Sequence, residues 1–344
     1  MRQPDQAWIR NQLRQLTDHS DTLCEIGDEE VVDATFGPWT ALKLVSLTAT
    51  VDVYTSIMAN NGFNYYYVDA MSGGGIVNLD GCDGALVGSP IIAGTVPREP
   101  FEKLYFVEAS RDRAEALRAR LDYAVDEIDA FNHTRDDCVV IHGDANEVLP
   151  KLPQMIKEDN GGTLTGRNGM GGAHHLAFID NEKYEVKFEA IRKLSTMLND
   201  LLINYQETSL NRQYGRILRG DCEWDDFLAF FDKRGGVKRL EAPEDRFDFY
   251  TRLLENIDRS EYRSLQVRGS NAYSYAYRMV YATRLTGGGS EYAQFMDGQK
   301  RKIEGITGDE IGTVLDTMRG AGTTLDLWSA EEKAEDGQSK LADY

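Results

Sequence analysis

The chain has 344 residues, 41% of them hydrophobic, which is enough to bury a sizeable core in one large domain with additions or in two domains. Its formal charge of −19, from 57 acidic and 38 basic residues, sets up a field that opposes docking on a phosphate backbone. Only 13 of the basic residues are lysines, and such an acidic, lysine-poor surface suits a high-salt cytoplasm and points to a halophilic archaeal source. Strong salt would screen the repulsion over short distances, which keeps nucleic acid open as a partner.

No apolar run approaches the roughly 20 residues needed to cross a bilayer. The opening "MRQPDQAWIRNQL" lacks the apolar stretch of a signal peptide, so a cytoplasmic protein without a membrane partner is expected. Cys24, Cys82, Cys138 and Cys222 form no C-x-x-C pair, and His174 and His175 are adjacent, pointing to opposite faces of a strand. Neither a disulfide framework nor a metal site is predicted.

Residues 5–22 read as a surface helix, followed by an acidic loop. Leu44, Leu47, Val51, Tyr54 and Met58 then recur at steps of three and four, one apolar stripe of a helix that starts after Pro38. From residue 65 the pattern changes to short apolar runs between helical stretches. Strands are predicted at 65–70, 103–110, 138–145, 175–182 and 200–207, with a helix start at 89–96 capped by Ser89 and an interrupted helix after residue 145. Such alternation implies an α/β fold, a mostly parallel sheet with helices on both faces, which binds ligands beyond the carboxyl ends of its strands. Residues 208–260 read as a helical insertion, residues around 261–285 as a strand pair, and 329–344 as an acidic disordered tail.

The sharpest pattern is Asp69-x-x-x-Gly73-Gly74-Gly75, a strand that ends in a carboxylate and turns through glycines, where backbone can approach a ligand closely. Glu108 and Asp144 end the next two strands in order. Three carboxylates in register fit a nucleoside cofactor such as S-adenosyl-L-methionine (SAM). Asp69 would meet its amino end, Glu108 the ribose hydroxyls and Asp144 the adenine amine, with Ala145 against the ring. A dinucleotide fingerprint fails because Asn78 stands where the third glycine is required, and a P-loop fails because no G-K-[ST] follows. The fourth strand ends in "FIDNEKYE", which places Asp180 and Tyr184 as catalytic candidates beside the methyl position, with Asn204 and Tyr205 at the end of the fifth strand lining a substrate cleft.

The stretches "WTALKLVSL", "YYYVDAMSGGG", "GSPIIA", "LYFVEAS", "GDAN", "AFIDNE", "DLLINYQE" and "YRMVYATRL" resemble the three-Cys-motif partner protein family. The resemblance implies a class I, Rossmann-like methyltransferase sheet of seven strands over residues 63–328, with N-terminal helices (1–62) packed on it. It also implies a companion protein bearing three cysteines. About a dozen extra residues separate the glycine turn from the helix at Ser89, and the fourth strand departs from the family's usual D-P-x-G. A methyltransferase of unknown acceptor is therefore expected, with a non-catalytic partner subunit or a nucleic-acid-binding module as alternatives.

Overall fold

The structure is a computed structural model that describes residues 6–27, 35–80, 84–164, 172–269, 275–285 and 291–318. The tail expected at 329–344, Cys82 and most of the glycine-rich stretch 161–172 lie outside the described residues. The strands are β1 (Thr35–Phe36), β2 (Asn64–Asp69), β3 (Ile76–Leu79), β4 (Ala85–Val87), β5 (Lys103–Glu108), β6 (Cys138–His142), β7 (Ala173–Ile179), β8 (Asn199–Tyr205), β9 (Glu261–Arg268) and β10 (Ala276–Thr283). The helices before β6 are α1 (Gln6–Thr17), α2 (Ser20–Cys24), α3 (Thr40–Asn60), α4 (Ser89–Thr95) and α5 (Arg111–Glu127). Those after it are α6 (Ala145–Val148), α7 (Leu152–Asp159), α8 (Phe188–Leu194), α9 (Glu207–Leu218), α10 (Asp225–Phe230), α11 (Pro243–Glu255), α12 (Glu291–Ile303) and α13 (Gly308–Met318).

Seven strands form one sheet in the order β6-β5-β2-β7-β8-β10-β9. β10 pairs antiparallel with both neighbours, while the pairings from β6 to β8 are all parallel. This is the Rossmann-like methyltransferase arrangement expected from the sequence: a mostly parallel sheet closed at one edge by an antiparallel hairpin. The predicted strand pair after residue 260 is that hairpin.

Alternating side chains explain why both faces are covered. Tyr65, Tyr67, Leu104, Phe106, Leu176 and Phe178 feed one core, while Tyr66, Val68, Tyr105, Val107, Ala177 and Ile179 feed the other. The first core is completed by α1, α3, α4, α5, α12 and α13, and the second by residues of α6 to α11. The segment 208–260 carries most of α9 with α10 and α11, and Phe227, Phe230, Phe247 and Tyr250 from it are buried in that second core. The extra dozen residues after the glycine turn contribute β3 and β4, which pair antiparallel and are extended by β1 into a small separate sheet.

Two local expectations need correction. Ser89 is the first residue of α4 and not its cap; Gly88 holds the extended capping conformation one residue earlier. And α3, with a mean hydropathy of 1.2 over its best window, is long and apolar enough to cross a bilayer by length and composition alone. Its threonines, serines, Lys43 and Asp52 nevertheless break up any continuous apolar run, and two thirds of its most apolar stretch is buried inside the protein.

Arg120 of α5 ties the N-terminal helices to the glycine turn. It is 1% exposed; its Nε donates to the carbonyls of Leu23 (2.9 Å) and Ile26 (3.0 Å) and its Nη1 to that of Gly74 (2.7 Å). Arg120→Met fills a similar volume but strands those carbonyls, so a loss of about 2–4 kcal/mol in denaturant-unfolding free energy is expected. Arg120→Lys should recover only part of it, because an ammonium cannot span the same three acceptors.

Candidate active site

The carboxyl ends of β2, β5, β6 and β7 surround a cavity of about 800 Å³. Its floor is the turn Ser72–Gly75. Gly73 (φ +64°) and Gly75 (φ +86°) occupy the left-handed region that side chains disfavour. Beside Gly73 a Cβ would meet nothing within 4 Å, whereas one on Gly88 would come within 2.9 Å of the backbone of Gly75. The Gly88 amide donates to the Gly75 carbonyl at 2.8 Å, so the glycine pair lets the turn lie directly on the approach to α4.

Glu108, 7% exposed, fixes the turn to β5. Its Oε2 accepts from the Gly73 amide (2.9 Å) and its Oε1 from the Ser110 amide (2.8 Å). Each oxygen has a second lone pair for an incoming hydroxyl. Asp144 stands one strand away as the cap of α6, its Oδ1 accepting from the Asn146 amide at 2.7 Å, and the buried Ala145 lies beside it in the same wall. Gly73, Gly75, Glu108, Asp144 and Ala145 all line the cavity.

Asp69 does not. It is fully buried, accepts from the Met71 amide (3.3 Å) and the Tyr67 hydroxyl (3.4 Å), and is absent from the cavity wall. The register gives the reason. Asp69 is level with Phe106 and Phe178, so Glu108 and Asp180 each stand two residues further along their strands, about 6–7 Å nearer the edge.

Asp180 faces the cavity from beyond β7. Its Oδ2 pairs with Lys43 Nζ at 2.5 Å and its Oδ1 accepts from Asn204 Nδ2 at 2.8 Å. Tyr184 lines the same wall, partly buried, and burial raises its phenol, with Asp226 adding to the shift. Of the two strand-eight candidates, Asn204 meets Asp180, but Tyr205 points into the second core against Phe230, Phe247 and Tyr250. Successive strand residues face opposite ways, so only one of an adjacent pair reaches the cleft. Lys43 was missed; its signal is a lone cation in the first half of an otherwise apolar helix. Among the described residues no group of three or more His, Cys, Asp or Glu is placed to hold a metal.

In sequence, the chain matches no protein-family model and no curated protein. Among solved structures it is similar to Trm1 from Pyrococcus horikoshii in complex with S-adenosyl-L-methionine, at TM-score 0.37 and 12% identity over 72% of this chain. The chain spans 56% of the length of that protein. It is also similar to an rRNA methylase from Streptococcus thermophilus, at TM-score 0.33 and 11% identity, covering 69% of this chain and 97% of that one. Similarity at this level says nothing about chemistry.

Burial lifts the Asp69 carboxyl from 3.8 to about 7, with the neighbouring Asp180 adding to the shift and hydrogen bonds from Ser89, Met71 and Tyr67 opposing it. Folding therefore takes up a proton between those two pH values. The associated stability is fully present below about pH 4 and is lost as pH rises through 7. Asp69→Asn should remove this dependence. The unfolding free energy of the variant is expected to gain on the native protein from pH 4 to 7 by an amount on the order of 4 kcal/mol, then to level off. Denaturant titrations at several pH values measure the difference directly.

Proposed function

We propose that this protein binds S-adenosyl-L-methionine and transfers its methyl group to an acceptor. The observation that carries the reading is Glu108, a carboxylate fixed by two backbone amides at the end of the strand next to the glycine turn, with one free lone pair on each oxygen for a ribose diol. Further support comes from the charge of the cavity wall. Glu108, Asp144, Asp180, Glu182, Glu185 and Asp226 outnumber Lys43, Arg113, Lys183 and Lys187, which suits a cationic sulfonium and disfavours a pyrophosphate. The glycine turn also runs into β3 and not straight into a helix, so the usual cradle for dinucleotide phosphates is missing.

In this reading Gly73 gives the cofactor close backbone approach, Glu108 holds its ribose, and Asp144 with Ala145 frames its adenine. The sulfonium supplies an electrophilic methyl group. Alignment of the acceptor then provides much of the rate, and Asp180, held by Lys43 and Asn204, is the group that takes a proton from it in this reading. Tyr184 closes the wall beside it.

A second reading, a non-catalytic subunit, is favoured by one observation: both Asp180 oxygens are already engaged within the chain. The resemblance to three-Cys-motif partner proteins supplies the companion such a subunit would serve, and the acidic composition a high-salt cytoplasm as its setting. Turnover separates the two readings. Calorimetric titration with SAM and S-adenosylhomocysteine should give micromolar binding, weakened tenfold or more by Glu108→Ala through the loss of charge-assisted hydrogen bonds. Asp180→Asn should leave S-adenosylhomocysteine binding nearly unchanged while lowering kcat by 10²-fold or more. No binding by the folded native chain would defeat the proposal.

A further inference from the structure

Next to the cofactor cavity lies a second chamber of about 260 Å³, and Lys43 and Asp180 stand in the walls of both. Phe36, Thr40, Glu182 and Lys183 are shared as well. What the second chamber adds is aromatic: Trp39, Tyr275 and Tyr277 join Phe36 in its wall, the Trp39 and Tyr275 rings lying 4.8 Å apart between centroids. The Trp39 indole is seated by glycines, since a Cβ on Gly37 or Gly269 would come within 2.2 or 3.0 Å of it. The Tyr275 hydroxyl donates to Gln206 Oε1 and the Tyr277 hydroxyl to the Trp39 carbonyl, so the polar ends of both rings are engaged within the chain.

Two asparagines in this wall carry polar atoms that have no partner among the described residues. Asn181 is fully buried; its Oδ1 accepts from the Val186 amide at 2.9 Å, which fixes the amide and leaves the Nδ2 donor without a partner among the described residues. Asn204, 1% exposed, donates through Nδ2 to Asp180 Oδ1 (2.8 Å) and to the Asn181 carbonyl (3.1 Å), which leaves its Oδ1 acceptor without one. An unmatched donor and an unmatched acceptor therefore belong to two residues that line the chamber together with the aromatic side chains. Buried polar atoms are nearly always paired, and such exceptions call for an explanation.

We propose that this chamber binds the methyl acceptor, and that the acceptor is a free, uncharged planar nitrogen heterocycle, a base or nucleoside, whose edge presents a hydrogen-bond donor beside an acceptor. The inference rests on the methyltransferase reading and names the substrate class for the same site. Stacking on Trp39 and Tyr275 accounts for the ring, and the Asn181 donor and Asn204 acceptor account for its edge. The charge of −19 and the internal pairing of Lys43 with Asp180 favour a neutral small molecule over a polyanionic chain.

The test uses the full chain saturated with S-adenosylhomocysteine, titrated with adenosine, guanosine, cytidine and uridine, and read by saturation-transfer NMR and calorimetry. At least one nucleoside should bind. Tyr275→Leu, which removes a ring, and Asn181→Ala, which removes the donor, should each weaken it tenfold or more while S-adenosylhomocysteine affinity stays within twofold. If Asn181→Ala does not fold, Tyr275→Leu alone decides. Binding of S-adenosylhomocysteine with no nucleoside binding overturns this inference and leaves the cofactor reading standing. No S-adenosylhomocysteine binding overturns the cofactor reading, and the same nucleosides titrated onto the chain alone then decide the chamber. Nucleoside binding that neither variant weakens, or binding confined to a mixed-sequence oligonucleotide and falling steeply with salt, also overturns it.

Discussion

The Glu108 carboxylate accepting the Gly73 amide is the contact on which the site depends, because it joins two strands' worth of backbone at the point where a ligand must lie. The turn after β2 has two residues at positive φ and would otherwise be free to move. Glu108 holds it from β5, the Ser72 amide holds it again through the Val107 carbonyl, and Arg120 holds it from below through the Gly74 carbonyl. A single carboxylate thus organises the turn and still presents lone pairs to the cavity. An amide or alkyl side chain there could do only part of that work.

What the sequence made legible was local. Strand rhythm, the glycine turn, Glu108, Asp144 and Ala145 all follow from short stretches in which an apolar run ends in an acid. Asp69 ends its run in the same way and was given the same kind of role. The difference lies in register: Asp69 is level with Phe106, one pleat below Glu108, and its own strand carries no sign of how far the neighbouring strand extends beyond it. The same limit applies to Tyr205, whose orientation depends on which of two successive residues faces the cleft.

Lys43 and the aromatic chamber were beyond a local reading for a further reason. Their residues come from α3 and the segment before it and from β10 and its approach, and Lys43 meets Asp180 across 137 residues of chain. No short motif can encode such a meeting. The sign that existed was an anomaly: one lysine in a helix otherwise free of charge until Asp52. Gly37 opens the turn into α3, which hides its second role of leaving room, with Gly269, for the indole of Trp39.

These long-range pieces also change what the N-terminal segment is for. α3 has apolar residues on every side because the sheet covers one flank and α1, α12 and α13 cover others, so a cation within it is costly unless it is paired. Asp180 supplies the pair, and Lys43 is held 11% exposed at the meeting of two cavities. Phe36 and Thr40, just before it, line both cavities as well. The sheet alone would provide a cleft open on that side. Residues 35–43 and the β9–β10 hairpin with its approach close the opening, and the second chamber lies where these two segments meet above β7 and β8.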